Sequence, residues 1–361
     1  MRKTIVALCV LFALVATAGA QDSAFAFDFE GIRMFNGMIP GGLDLSVTYR
    51  GLDLGMPGGT ELYLKAGGGY EDKFLLRNPL TGDPVPDAAL FEFKSVNFQW
   101  ELAFIQGLAA RPDGKNLLEA FVFYRGRYDK HLNDASTAAF PDIRGMLGTA
   151  FMLGASYDSV ETSPHRAKRG ILAEASAELG PAFLNAIADY WRVSGRASGY
   201  LPLFDLPTEG NNLLNVYAAG LVAADYAGGG VTPMHVNVSF GGRWQRDSLG
   251  DCVRGFPTAS FDSSFKLVGN AELRVVGPAL FIESIVPVLF GFVDAGWYAG
   301  FAGSTGYAEA SGALASAGGG LAIDLFGFAQ LGALVGTRLT DAPIYDLDTG
   351  FFWKIQFFFH F

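Results

Sequence analysis

The chain has 361 residues, half of them hydrophobic, and its 36 acidic against 26 basic residues give a formal net charge of −10 at pH 7. An acidic balance with scattered charges argues against nucleic-acid binding. After Gln21, no stretch is long and charge-free enough to cross a bilayer as a helix, which needs about 20 apolar residues. High apolarity without such helices favours a transmembrane β-barrel, where only every second strand residue faces lipid.

The first 20 residues have the pattern of an export signal. Residues 1–3 carry two positive charges, residues 4–15 form an apolar stretch, and residues 18–20 read A-G-A before Gln21. This pattern predicts a cleaved signal peptide over residues 1–20 rather than an uncleaved anchor, because the apolar run is short for a membrane span. Residues 21–42 are then predicted to be a short periplasmic segment and residues 43–361 an outer-membrane barrel.

Alternation of apolar and polar residues predicts the strands. In residues 43–50 apolar and polar side chains alternate strictly, and residues 235–241 and 351–361 repeat the pattern. A period of two is typical of strands and is not produced by helical packing. Fourteen strands are predicted, at 43–54, 59–70, 91–108, 117–128, 144–157, 168–179, 189–201, 212–226, 235–244, 265–276, 288–299, 313–325, 328–339 and 350–361.

The even count suits a single-chain bacterial barrel and places both termini in the periplasm. The predicted external loops lie at 158–167, 203–211, 245–264, 300–312 and 340–349. The segments 71–90 and 129–143 fall on the periplasmic side in this scheme, although both are long for periplasmic turns.

The last strand ends on an aromatic residue. Phe357, Phe359 and Phe361 lie on one face of the predicted strand 350–361. This ending resembles the C-terminal signature that the barrel-assembly machinery recognises in its clients. The alternative is an ordinary lipid-facing strand that ends there.

Three short motifs follow one another in the last third of the chain. Residues Val253, Arg254, Gly255 and Phe256 read V-R-G-F, Glu272 lies on the next predicted strand, and Phe292 to Gly296 read F-V-D-A-G on the one after. In this order they resemble the bacterial surface-antigen barrel superfamily of BamA, TamA and FhaC-type transporters. That resemblance implies a long loop, before the fifth strand from the C-terminus, whose tip folds back into the lumen.

The facing of the residues agrees with the resemblance. On 265–276 the apolar set is odd-numbered, which directs Glu272 to the lumen, and on 288–299 the same reasoning directs Phe292, Asp294 and Gly296 inward. Two carboxylates on adjacent strands thus face one interior, where Arg254 could hydrogen-bond both. The alternative is a loop arginine that faces water.

The chain departs from the superfamily in two ways. About twenty residues separate the predicted cleavage site from the first predicted strand, so the chain is expected to be a barrel-only member without periplasmic POTRA domains. The superfamily also builds 16 strands, whereas alternation predicts 14 in this chain, and 16 is the number that the resemblance implies.

Sequence motifs for catalysis are missing. The four histidines lie in separate segments, Cys252 is the sole cysteine after the predicted cleavage site, and no P-loop or G-x-S-x-G occurs. We therefore expect no enzyme, no cofactor and no metal. The predicted function is protein insertion into, or translocation across, the outer membrane, and the alternative is a passive channel or structural or surface barrel that keeps the loop for stability. The expected partners are outer-membrane lipids, the barrel-assembly machinery, and a client or a separate POTRA-bearing protein.

Overall fold

The protein is built almost entirely of antiparallel strands. A computed structural model describes residues 24–35, 39–75, 91–132, 145–162, 168–206, 214–243, 247–258, 261, 263–280, 285–300, 311–325, 329–342 and 347–359. The strands are β1 Phe25–Phe35, β2 Ile39–Leu52, β3 Thr60–Leu75, β4 Phe91–Ala110, β5 Asn116–His131, β6 Met146–Asp158, β7 Glu161–Thr162, β8 Lys168–Gly180, β9 Asp189–Leu206, β10 Leu214–Val231, β11 Phe265–Val276, β12 Ile285–Ala299, β13 Ser311–Leu325, β14 Ala329–Arg338 and β15 Gly350–Phe359. Two short helices, α1 Met234–Val238 and α2 Leu249–Cys252, lie between β10 and β11.

Fourteen long strands follow one another in sequence order in a single sheet, and the two-residue β7 pairs only with β8. Each long strand is antiparallel to the next, as in β11 and β12, where Asn270 is opposite Asp294. The implied number of 16 strands is not reached within the described residues. No helix in the described part of the chain is long and apolar enough to cross a membrane.

The two faces of the sheet have opposite chemistry. On β2, Leu45 is 50% exposed while its neighbour Asp44 is 6% exposed. Phe98, Leu153 and Val293 repeat the outward apolar position on other strands, each about half exposed or more. Apolar side chains outside and polar side chains inside are the arrangement of a transmembrane barrel with a polar lumen. The all-β barrel fold predicted from alternation is therefore confirmed.

The predicted strand at 235–244 is wrong. Residues Met234–Val238 form helix α1, preceded by Pro233, whose nitrogen has no hydrogen to donate to a sheet. The period of two was misleading because Val236 and Phe240 do not face lipid. Both are buried inside the barrel, at 0% and 2% exposure.

A strand was missed at the N-terminal end. The structure has β1 and the start of β2 where residues 21–42 were predicted to form a periplasmic segment, and β1 pairs with β2 from Phe25 opposite Tyr49 to Phe35 opposite Ile39. Phe25 and Phe27 are both more than half exposed on the outer face. The alternation F-A-F-D-F at 25–29 was therefore a strand signal within the segment assigned to the periplasm.

The false strand and the missed strand cancel in the strand count, but together they reverse the predicted sides of the connections that precede β11. The predicted strand at 235–244 added one strand before β11. Each connection before that strand was therefore predicted at the wrong end of the sheet relative to the β10–β11 connection. The antiparallel order puts the β3–β4 and β5–β6 connections at the same end of the sheet as the β10–β11 connection, and the β6–β8 and β9–β10 connections at the other end. The two long segments that looked anomalous as periplasmic turns thus share an end with the longest loop.

Candidate functional site

The longest connection in the described chain joins β10 to β11 and packs inside the barrel. We call its described residues, 232–243, 247–258, 261, 263 and 264, the lumenal loop. Its second half contains helix α2, which begins with a capping box between Ser248 and Asp251. Leu249 and Val253 are fully buried, in a cluster with Phe261 of the loop and with Tyr298 of the wall. This apolar contact holds the turn that carries Arg254 against β11 and β12.

Arg254 makes a bidentate ion pair with Asp294 on β12. Its Nε lies 2.7 Å from Oδ2 and its Nη2 2.6 Å from Oδ1 of Asp294, and its backbone N–H also donates to Oδ2 at 3.1 Å. Nη1 donates to Glu272 Oε1 at 2.6 Å. Planar guanidinium binding of two carboxylates is specific in direction as well as strong, so the loop is fixed in register and in orientation.

The partners of Arg254 are themselves held in place. Asn270 donates to Asp294 Oδ1 at 2.7 Å and to the carbonyl oxygen of Cys252 at 2.8 Å. Arg274 binds the second oxygen of Glu272 at 2.6 Å. Asp294 is fully buried, so its hydrogen bond from Asn270 stabilises a charge that has lost its contact with water.

The environment of Arg254 favours its charged form. Burial opposes the charge, but the hydrogen bonds and the negative charge of Asp294, followed by those of Glu272, more than offset it, and the pKa of Arg254 lies above its ordinary value. The guanidinium also lies over the ring of Phe292, with its carbon 3.7 Å from the ring centroid.

Two glycines make room for this packing. Gly255 has a φ of +95°, and a Cβ atom there would lie 2.6 Å from the ring of Phe352 on β15. A Cβ at Gly296 would lie 2.8 Å from Val253 Cγ2 and 2.9 Å from Leu249 Cδ1. Larger residues at either position would force the loop tip away from the wall.

The structure brings all the predicted residues of the loop motif and its wall partners into one site. Val253 and Phe256 are buried, and Phe256 packs edge-on against Phe261 at 6.4 Å between ring centroids. The backbone of β15 places Phe357 opposite Leu331 and Phe359 opposite Ala329. Phe361 lies outside the described residues, as do residues 1–20, so the C-terminal assembly signal and the signal peptide stay predictions.

Sequence reasoning missed several residues that hold the loop. Arg338 of β14 donates to the carbonyl oxygen of Gly255 at 3.2 Å, and a group of charged residues on β5, β8 and β9 contacts the first half of the loop. Alternation along each strand could have predicted that the side chains of these wall residues face the lumen. Their contacts could not be predicted in this way, because they join strands distant in sequence. In the described residues, no group of histidine, cysteine and acidic side chains is arranged to hold a metal ion.

One antiparallel sheet in strand order, with a long loop packed against its polar face, is the fold of a BamA-type β-barrel. A solved structure of BamA from Haemophilus ducreyi lacking POTRA domains 1-3 matches 88% of this chain with a TM-score of 0.52 and 14% sequence identity. The chain spans 62% of the length of that structure. No protein-family model matches the chain, and no curated protein matches it either. The likeness thus concerns the fold.

Proposed function

We propose that this chain resides in the outer membrane and takes part in protein insertion into that membrane or translocation across it. The observation that carries the proposal is the lumenal loop fixed by Arg254 to Asp294 and Glu272. A loop bound this firmly to two adjacent strands braces the wall from inside. The similarity to the BamA fold supports the same reading.

In this proposal the functional part of the wall is the seam, which is the junction between β1 and β15. β1 and β15 are the two ends of the sequential sheet, and a strand edge exposes backbone N–H and C=O groups that can pair with another chain. While the lumenal loop keeps β11 to β15 in shape, opening between β1 and β15 would offer such an edge to a client strand. The role needs no catalytic chemistry, and both carboxylates at the site are engaged by arginines.

The proposed partners follow from the surfaces. The apolar outer faces of the strands contact outer-membrane lipids, and the aromatic end of the chain is read by the barrel-assembly machinery during biogenesis. A client protein, or a separate protein that carries POTRA domains, would meet the barrel from the periplasm.

The test is quantitative proteomics of the outer membrane after depletion of this protein, with rescue by wild type, Arg254→Ala or the control Arg169→Ala. Arg169 forms an exposed ion pair with Glu161 outside the lumen site, so its loss should be silent. We expect selective loss of other barrels or of an exported protein, rescued by wild type and Arg169→Ala but not by Arg254→Ala. The amount of each variant in the outer membrane is measured alongside, so that poor folding is recognised.

An unchanged proteome after depletion would contradict the proposal and favour the passive channel or structural barrel. Steady conductance of the purified protein in planar bilayers would then support the channel. A silent bilayer would leave the structural role.

A further inference from the structure

The first half of the lumenal loop is held on a different part of the wall from Arg254. We call residues 233–243 the front segment. Arg192 of β9 donates through Nη1 to the carbonyl oxygen of Val236 at 3.4 Å, and Arg125 of β5 donates through Nη1 to that of Gly242 at 3.2 Å. Two wall arginines thus bind the loop backbone directly.

One carboxylate on β8 orients both arginines. Glu178 Oε2 lies 2.6 Å from Arg192 Nη2 and 3.1 Å from Arg125 Nη2. All three side chains are at most 5% exposed. Buried charges of this kind persist when each has its partner, and removing one leaves another uncompensated.

Further polar contacts surround this trio. The backbone N–H of Arg243 donates to Glu174 at 2.5 Å, and its Nη1 binds Glu119 of β5 at 2.7 Å. The backbone N–H of Gly241 donates to Asp225 at 2.9 Å. Lys266, fully buried, donates to the carbonyl oxygen of Asn237 at 2.8 Å.

The front segment is seated as close to the wall as its backbone allows. A Cβ atom at Gly241 would lie 2.1 Å from Ser194 Oγ, and one at Gly242, where φ is +97°, would lie 2.5 Å from Glu174 Oε1. Glycine is therefore the residue that fits at both positions.

The two attachments of the lumenal loop lie on strands far apart in the sheet. Arg243 contacts β5, whereas Gly255 accepts a hydrogen bond from Arg338 of β14, eight places away in the strand order. In a flat sheet these strands would be about 38 Å apart. The two halves of the loop are thus attached to strands that the sheet separates widely.

We propose that Arg125, Glu178 and Arg192 form a second lock, which holds the front segment independently of Arg254 and keeps the loop attached to the wall when the Arg254 lock is broken. The lumenal loop is released only when both locks are lost. This holds whether the barrel serves assembly or a passive role, because it concerns the loop and its wall alone.

Cys252 is a native probe of this release. It lies in helix α2 between the two locks, and burial, together with the nearby charge of Asp247, raises the pKa of its thiol. A thiol of this kind reacts slowly with maleimide while the loop is seated and faster once the loop reaches water.

The experiment measures maleimide labelling of Cys252 by peptide mass spectrometry, and conductance in planar bilayers, on the purified full-length protein. The variants are Arg254→Ala, the pair Glu178→Gln with Arg192→Gln, and all three substitutions together, with Arg169→Ala as control. We expect small effects from either lock alone. The combination should label Cys252 about tenfold faster than the two separate effects predict, because either lock alone is enough to hold the loop, and should raise the conductance above that of the wild type.

Full release by Arg254→Ala alone would overturn the proposal, because the front segment would then contribute no hold. No release in the combined variant would overturn it as well. Should the combined variant fail to fold, as judged by the heat-dependent shift in its gel mobility, Arg243→Gln with Glu119→Gln replaces the front pair, since both residues are less deeply buried. These measurements use purified protein, so their failure is distinct from an unchanged proteome.

Discussion

The outer wall and the lumen of this barrel follow opposite rules of burial. Outside, Val293 on β12 is 55% exposed, while its neighbour Asp294 is fully buried inside. The outer face is stabilised by lipid and by the hydrogen bonds of the sheet, whereas the lumen is stabilised by paired charges that hold the loop. Only 17% of the residues are charged, and several of the buried ones meet at the two locks that hold the lumenal loop. Removing a charge should therefore destabilise the lumen, and adding a charge should destabilise the outer face.

The largest effect is expected at Asp294. Asp294→Asn removes the buried charge that receives two guanidinium hydrogen bonds, and leaves Arg254 with Glu272 as its remaining carboxylate. Breaking a buried pair on one side should lower the free energy of unfolding by about 3–5 kcal/mol, measured by urea unfolding in phospholipid vesicles. Glu161→Gln is the control, since its pair with Arg169 is exposed. Equal effects of the two substitutions would show that burial does not decide the strength of these pairs.

At Val293, which faces outward one position before Asp294, a charge should destabilise the barrel rather than stabilise it. Val293→Arg introduces a charge on the lipid face and should destabilise the barrel by about 2–4 kcal/mol if the position lies near the bilayer midplane. The matched control Val293→Leu changes size without charge. Unfolding in vesicles and in detergent micelles distinguishes the cause, because the loss should shrink in the more hydrated micelle. A loss of the same size in both media would argue that Val293 does not face lipid.

Gly255 tests the lumen side by shape rather than charge. Gly255→Ala puts a Cβ at a φ of +95° and 2.6 Å from the ring of Phe352, which should lower the free energy of unfolding by about 1–3 kcal/mol. Combining it with Phe352→Ala should relieve the contact but not the backbone strain. Urea unfolding of the two single variants and the double variant measures both parts. If the double variant is no more stable than the sum of the single effects predicts, the ring contact is not the cause.

Most of the wall could be predicted from alternation, because each strand residue faces either lipid or lumen and lipid accepts few charges. The exception at 235–244 shows the limit of the method. Val236 and Val238 alternate with polar residues, but a segment enclosed by the barrel is buried on all sides, so a period of two has no outer face to report. The strand at Phe25–Phe35 was missed because it lay inside a segment already assigned to the periplasm.

The site was predictable only in part. Strand facing and the family motif together placed Arg254, Glu272 and Asp294 in one interior, and the structure brings them within hydrogen-bonding distance. The second lock was beyond reach because Arg125 and Gly242 are 117 positions apart in the chain. Periodicity says which side of the wall a residue faces, but not which residue it meets across a lumen.

The smallest effect concerns pH and the lumenal loop itself. Asp247 lies just before helix α2 with its side chain facing the lumen, where the surrounding protein reduces its hydration. This loss of hydration, with the nearby negative charge of Asp251, raises its pKa to about 6, against the opposing charges of Arg196 and Lys354. A raised carboxyl pKa means that the folded state binds the proton more tightly than the unfolded state, so stability should fall as pH rises from about 4 to about 6. Because Asp247 is open to lumenal solvent, the change should be about 1 kcal/mol or less. Asp247→Asn should remove this slope from urea unfolding measured at several pH values. A slope unchanged by the substitution would place the titrating group elsewhere in the lumen.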